Sequence, residues 1–161
     1  MRRLLSTVLL ILPVALGAAS ADPHGVFDCQ DLSLVPMDFS VDYETEVQPI
    51  FTGSCANCHV SSPFPDAGLR LDPGKSYFDL VNVPSVQDGT LLRVKPFNAS
   101  QSVLFSKVNC DGPLVGLRMP LDRSPLTPEA QALILDWINQ GALPVPAVPD
   151  LLTRADFEAR G

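Results

Sequence analysis

Between Asp22 and Leu69 the chain has no lysine and no arginine, against eight acids: Asp22, Asp28, Asp31, Asp38, Asp42, Glu44, Glu46 and Asp66. The 161 residues together carry a net charge of −7. That balance argues against nucleic acid and anionic membrane surfaces as partners, because both select basic patches. An acidic run of this kind more commonly solvates a surface, and its alternative use is to steer a basic partner protein. Histidine is scarce, with only His24 and His59. No segment alternates apolar and polar residues as a half-buried strand does, so a mostly helical fold with long loops is expected. There is no internal repeat and no low-complexity tract.

Long apolar runs are also missing, except at the start. Arg2 and Arg3 precede the nearly unbroken run Leu4 to Leu16, and Ala19-Ser20-Ala21 follows as a small-x-small cleavage site. The run is short for a membrane span and polar sequence follows it closely. Residues 1–21 are expected to be a signal peptide, the alternative being an uncleaved anchor. Its removal leaves 140 residues with a net charge of −9 and no stable membrane span. A chain of that length suits one domain with a single core. Its expected location is periplasmic or otherwise exported.

The run Cys55-Ala56-Asn57-Cys58-His59 carries the most chemistry. Two thiols at this spacing can each form a thioether to a haem vinyl group, and the adjacent imidazole then serves as an axial iron ligand. Zinc ribbons and thioredoxin-like sites also use Cys-x-x-Cys. A zinc site needs two further ligands at close spacing, but Cys29 and Cys110 are distant and isolated and His24 lies far upstream. A redox site needs a preceding strand and a βαβ pattern, and neither is visible. The sequence therefore predicts one covalent haem c per chain, attached through Cys55 and Cys58, with His59 as proximal ligand. The remaining even pair, Cys29 and Cys110, is expected to form a disulfide in an oxidising compartment; two free thiols are the alternative.

Three side chains can supply a sixth ligand: Met37, Met119 and His24. Met119 precedes Pro120 on an irregular stretch 60 residues beyond His59, enough chain to travel around a macrocycle. The competing role of Met119 is flexible core filler. Met37 and His24 stand in an arm expected to be loose, so Met119 is preferred as distal ligand. Arg70 and Arg93 are candidates to meet the haem propionates.

Local signals place the helices. Ser40 or Asp42 can cap a first helix running to about Phe51, with Val47, Ile50 and Phe51 on its apolar face and Pro49 as a complication. Val60 to Asp66 reads as a loop in which Pro63 or Pro65 helps to place a carbonyl that accepts the second ring proton of His59. Asp72-Pro73 starts another helix, with Tyr77, Phe78, Leu80 and Val81 inward. Ser100 can cap a third, burying Val103, Leu104 and Val108. Thr127-Pro128-Glu129 opens the clearest helix, which Gly141 closes. Its stripe is Leu133, Ile134, Trp137 and Ile138, with Glu129, Gln131, Asp136 and Asn139 expected to face water.

With these pieces in order, the chain resembles class I c-type cytochromes. "VQPIFTGSCANCH", "GLRLD", "RMP" and "LTPEAQALILDWINQGA" are similar, more narrowly, to the planctomycete-type cytochrome c domain. The resemblance covers residues 42–143. It implies an all-α fold wrapped around one haem, with Phe51 and Trp137 meeting where the first and last helices cross. It also implies His59 and Met119 as axial ligands. An acidic N-terminal arm (22–41), the Cys29/Cys110 pair and a proline-rich tail (144–161) depart from that pattern. The implied function is single-electron transfer to redox partner proteins rather than catalysis. Two alternatives stay open: a haem-binding sensor or accessory subunit with a labile sixth ligand, and a structural domain in which haem mainly provides core.

Overall fold

A computed structural model describes residues 28–60 and 65–145. The expected signal peptide, His24, Pro63 and residues 146–161 of the tail lie outside the described residues. The regular structure is helical: α1 (Gln48–Ser54), α2 (Ser76–Leu80), α3 (Val103–Asn109) and α4 (Pro128–Asn139), with short 3-10 turns at Asp66–Gly68 and Ala99–Gln101. Extended segments meet in isolated bridges, such as Val81 with Val94 and Leu92 with Ser102.

The first helical segment opens at Asp42, whose carboxylate accepts from the Thr45 amide at 2.8 Å. Its first turn is a π-helix, Tyr43–Val47. Pro49 then follows directly inside the same helical run, and the preceding π turn, with the Gln48 amide on the Tyr43 carbonyl, accommodates the proline without ending the helix. The helix therefore continues past Phe51 to Ser54 rather than being shortened. The π turn puts Tyr43 fully inside, with its ring centroid 4.9 Å from Trp137 and 6.3 Å from Phe51. Tyr43 thus bridges the two aromatics whose direct meeting the resemblance implied. Its hydroxyl donates to Ser76 Oγ at 2.6 Å, Ser76 donates to Gln48 Oε1, and Gln48 Nε2 donates to the Leu71 carbonyl at 3.0 Å. Burial raises the Tyr43 pKa, so this chain of bonds stays neutral.

Helix α4 starts as its sequence dictates, with Thr127 Oγ1 accepting from the Ala130 amide. Ile134, Trp137 and Ile138 are buried in the main cluster and Leu133 is partly buried. Gln131 and Asp136, expected in water, are instead buried because the arm covers them. The Asp136 carboxylate accepts from the Asp38 amide at 2.8 Å, and Gln131 Nε2 donates to Gln30 Oε1 at 2.7 Å. Gln140 adds a donor to the Asp38 carbonyl and an acceptor for the Val41 amide. The described part of the arm is therefore fastened, not loose. Cys29 and Cys110 are joined by a disulfide with an S–S distance of 2.03 Å.

Two further boundaries differ from expectation. Residues 73–75 form a turn before α2, and Phe78 is 75% exposed while Leu80 is buried. A five-residue helix has one inward edge, and Leu80 with Ser76 occupies it. Asn98, not Ser100, caps the turn leading to α3 by accepting from the Gln101 amide.

Candidate cofactor-attachment site

Cys55 is the C-cap of α1, but the chain does not unwind there. The amides of Cys55 and Ala56 both donate to the Phe51 carbonyl at 2.9 Å, and those of Cys58 and His59 donate to the Cys55 carbonyl at 3.2 and 3.1 Å. The motif is thus one more helix-like turn. Residues at i, i+3 and i+4 share a face of such a turn, which brings Cys55, Cys58 and His59 to one side. All three line a cavity of about 410 Å³. The His59 carbonyl accepts from the Leu71 amide at 2.7 Å, which fixes the end of the turn.

His59 Nδ1 lies 3.0 Å from the Asp66 carbonyl. A carbonyl only accepts, so the bond requires the proton on Nδ1 and leaves the Nε2 lone pair free for a metal. The carbonyl belongs to the residue after Pro65, within the loop the sequence singled out. Burial pushes the Cys55 thiol up to about 11, and the neighbouring Cys58 pushes in the same direction. A redox dithiol needs the opposite shift, toward thiolate at neutral pH. Among the described residues no group of three or more His, Cys, Asp or Glu side chains is placed to hold a metal ion.

The rest of the cavity is mainly apolar. Leu69, Leu71 and Leu80 line it together with Val103, Leu104 and Val108 from α3. Met119 lines the same cavity. Its amide donates to the Lys107 carbonyl at 2.7 Å, and the Met119–Pro120 peptide is cis. Met37 is absent from this lining. It is 62% exposed and borders a separate groove between the arm and the helices α3 and α4. Of the two methionines proposed as ligands, only Met119 is brought to the thiols and His59.

The two arginines separate. Arg70 is taken up by Asp79, through Nε at 2.9 Å and Nη2 at 2.6 Å, and does not line the cavity. That pairing holds the Asp79 carboxyl below its usual range. Arg93 does line the cavity, 8% exposed, and donates to backbone carbonyls. Burial lowers its pKa, partly countered by Asp79. Lys107 also reaches the cavity, a placement sequence reasoning missed. Its register was visible: Val103, Leu104, Lys107 and Val108 form one helical face. The Asp66 carbonyl had no such signal, since a backbone oxygen leaves no mark in composition.

Two thiols, an imidazole with free Nε2, a thioether and apolar walls form a donor set that fits haem c. The volume lies in the range of cofactor pockets, about 300–1,000 Å³. No protein-family model, curated protein or solved structure matches this chain.

Proposed function

We propose that this chain is an exported mono-haem c-type cytochrome that passes single electrons to and from redox partner proteins. In this reading Cys55 and Cys58 hold the haem by thioethers, and His59 and Met119 are the axial ligands. The observation that carries it is the convergence of all four side chains on one apolar cavity, with His59 Nδ1 engaged by the Asp66 carbonyl. Bound there, haem supplies reversible one-electron chemistry. The protein's own residues do the rest. Leu69, Leu71, Leu80 and the α3 face exclude water, which limits reorganisation on electron gain or loss. The Met119 thioether favours the reduced iron relative to a second imidazole.

Export is supported by the N-terminal pattern and by the Cys29–Cys110 disulfide, which persists in oxidising compartments. Among the described residues no helix is long and apolar enough to cross a membrane. The test is a pyridine haemochrome assay with peptide mass mapping after expression beside haem-attachment machinery. One haem per chain on the Cys55–Cys58 peptide is expected; a colourless mature protein overturns the reading.

A second reading, a haem sensor or accessory subunit with a labile sixth ligand, draws on one observation. Met119 lies midway along a largely exposed loop in which Leu117 is 64% exposed. Prompt stoichiometric carbon monoxide binding by the reduced protein selects the sensor, and its absence selects the carrier.

A further inference from the structure

Arg93 is a buried cation in the wall of an otherwise mainly apolar cavity, a placement with a large desolvation cost unless the guanidinium is engaged. Its Nη1 donates to the Asp79 carbonyl at 2.8 Å. Its Nη2 donates to the carbonyls of Ala67 and Gly68 at 3.3 and 3.1 Å. These last two residues form the Asp66–Gly68 turn, and both have left-handed backbone, with φ of +54° at Ala67 and +58° at Gly68. Glycine adopts that conformation freely; alanine does so only when its surroundings hold it there. The same turn presents the Asp66 carbonyl to His59 Nδ1. Asp79 anchors the other end, its carboxylate gripped by Arg70 while its carbonyl receives Arg93.

We propose that Arg93 is the positioning residue for His59, clamping the strained Asp66–Gly68 turn so that the Asp66 carbonyl holds the ring in one tautomer and orientation. The proposal rests on the reading of His59 as the axial ligand. The planar fork, rather than the charge, is the working part: it spans carbonyls on two chain segments at once, which a lysine ammonium on a flexible stem does not reproduce. A clamped Nδ1–H···O bond makes the imidazole a stronger donor and favours the oxidised iron. Release of the clamp weakens that bond and raises the midpoint potential.

The test compares mature wild-type protein with Arg93→Lys and Arg93→Gln, after haem content is measured by pyridine haemochrome. In the reduced, diamagnetic form, His59 Nδ1–H exchange with solvent is followed by proton NMR. Exchange at least tenfold faster is expected in both variants, together with a higher midpoint potential in Arg93→Lys. A purely electrostatic role predicts wild-type exchange and potential in Arg93→Lys and a lower potential in Arg93→Gln, and that outcome overturns the clamp. Should the variants not fold, wild-type protein decides. Protected Arg93 guanidinium protons with cross-peaks to Ala67 and Gly68 support the clamp, and freely exchanging ones overturn it. A haem-free wild type defeats the functional reading, and the Arg93 guanidinium protons with their cross-peaks to Ala67 and Gly68 then decide separately whether the turn is clamped.

Discussion

One side of the cavity continues α1, with Cys55, Cys58 and His59 placed by successive hydrogen bonds to the Phe51 and Cys55 carbonyls. Met119 reaches the same cavity by another route, midway along an exposed loop that leaves α3 at Cys110 and folds back on that helix. The loop is fastened at a few points: Leu114 N to Ser106 Oγ at 2.7 Å, an Arg118–Asp111 ion pair, and Met119 N to the Lys107 carbonyl. The first set of donors is fixed by local helical geometry and backed by the Arg93 and Asp79 contacts. The second is fixed by a few separate contacts within the loop and to neighbouring α3, which can be lost singly. In the proposed haem reading, a site built this way would keep its attachment side constant and leave the sixth position as the adjustable one.

The largest effect is expected on the helical side. Replacing both thiols, Cys55→Ala with Cys58→Ala, removes covalent haem completely, read as loss of haem-stained protein on a denaturing gel. Met119→Ala comes next. It leaves the thioethers intact and opens the sixth position, so carbon monoxide uptake by reduced protein rises from near zero to about one per haem. The midpoint potential falls as the thioether is lost. A Met119→Ala protein with unchanged spectrum and no carbon monoxide uptake would remove Met119 from the ligand set and erase the contrast between the two sides.

Third is the disulfide. Cys29 and Cys110 are 81 residues apart in sequence, and closing a loop of that length restrains the unfolded chain by about 4–5 kcal/mol in the entropy model. The double variant Cys29→Ser/Cys110→Ser should lose stability on that order in urea unfolding. Because Cys110 lies where α3 hands over to the Met119 loop, the variant should also weaken methionine ligation while haem content stays at the wild-type level. Equal loss of both would mean that the two sides are not independent.

The same division governs what was legible in the sequence. Thr127, Pro128 and Glu129 announced α4 because capping is a local property, and the cysteine spacing announced the candidate motif because it too is local, whereas the helix-like turn that gathers its side chains did not show. Pro49 does not shorten the helix, because the π turn just ahead of it absorbs the irregularity, and the sequence carries no mark of that turn. Gln131 and Asp136 read as solvent-facing because their partners, Gln30 and Asp38, come from about a hundred residues upstream. Tyr43 stands ahead of the Val47, Ile50 and Phe51 stripe in a π turn, whose register α-helical periodicity does not describe, so its place between the aromatics has no sequence mark. Arg93 looked like a partner for propionates, and only the fold revealed the carbonyls it holds.

The smallest expected effect probes the support behind the helical side. Asp79 accepts from Arg70 Nε, Nη2 and backbone N, and the Arg70 side-chain bond is the main cause of its lowered pKa. A carboxyl whose folded pKa is depressed contributes stability that is complete above its unfolded value, about 3.9, and is lost as pH falls through the lower folded value. Asp79→Asn should therefore cost about 1 kcal/mol at neutral pH, a modest figure because Arg70 is partly exposed. The gap between variant and wild type should close below about pH 4 in urea titrations. Because the Asp79 carbonyl also anchors Arg93, acid should loosen the His59 side before it disturbs the Met119 loop. Faster His59 Nδ1–H exchange on acidification, abolished in Asp79→Asn, is the expected signature; equal acid sensitivity in both proteins would detach Asp79 from that support.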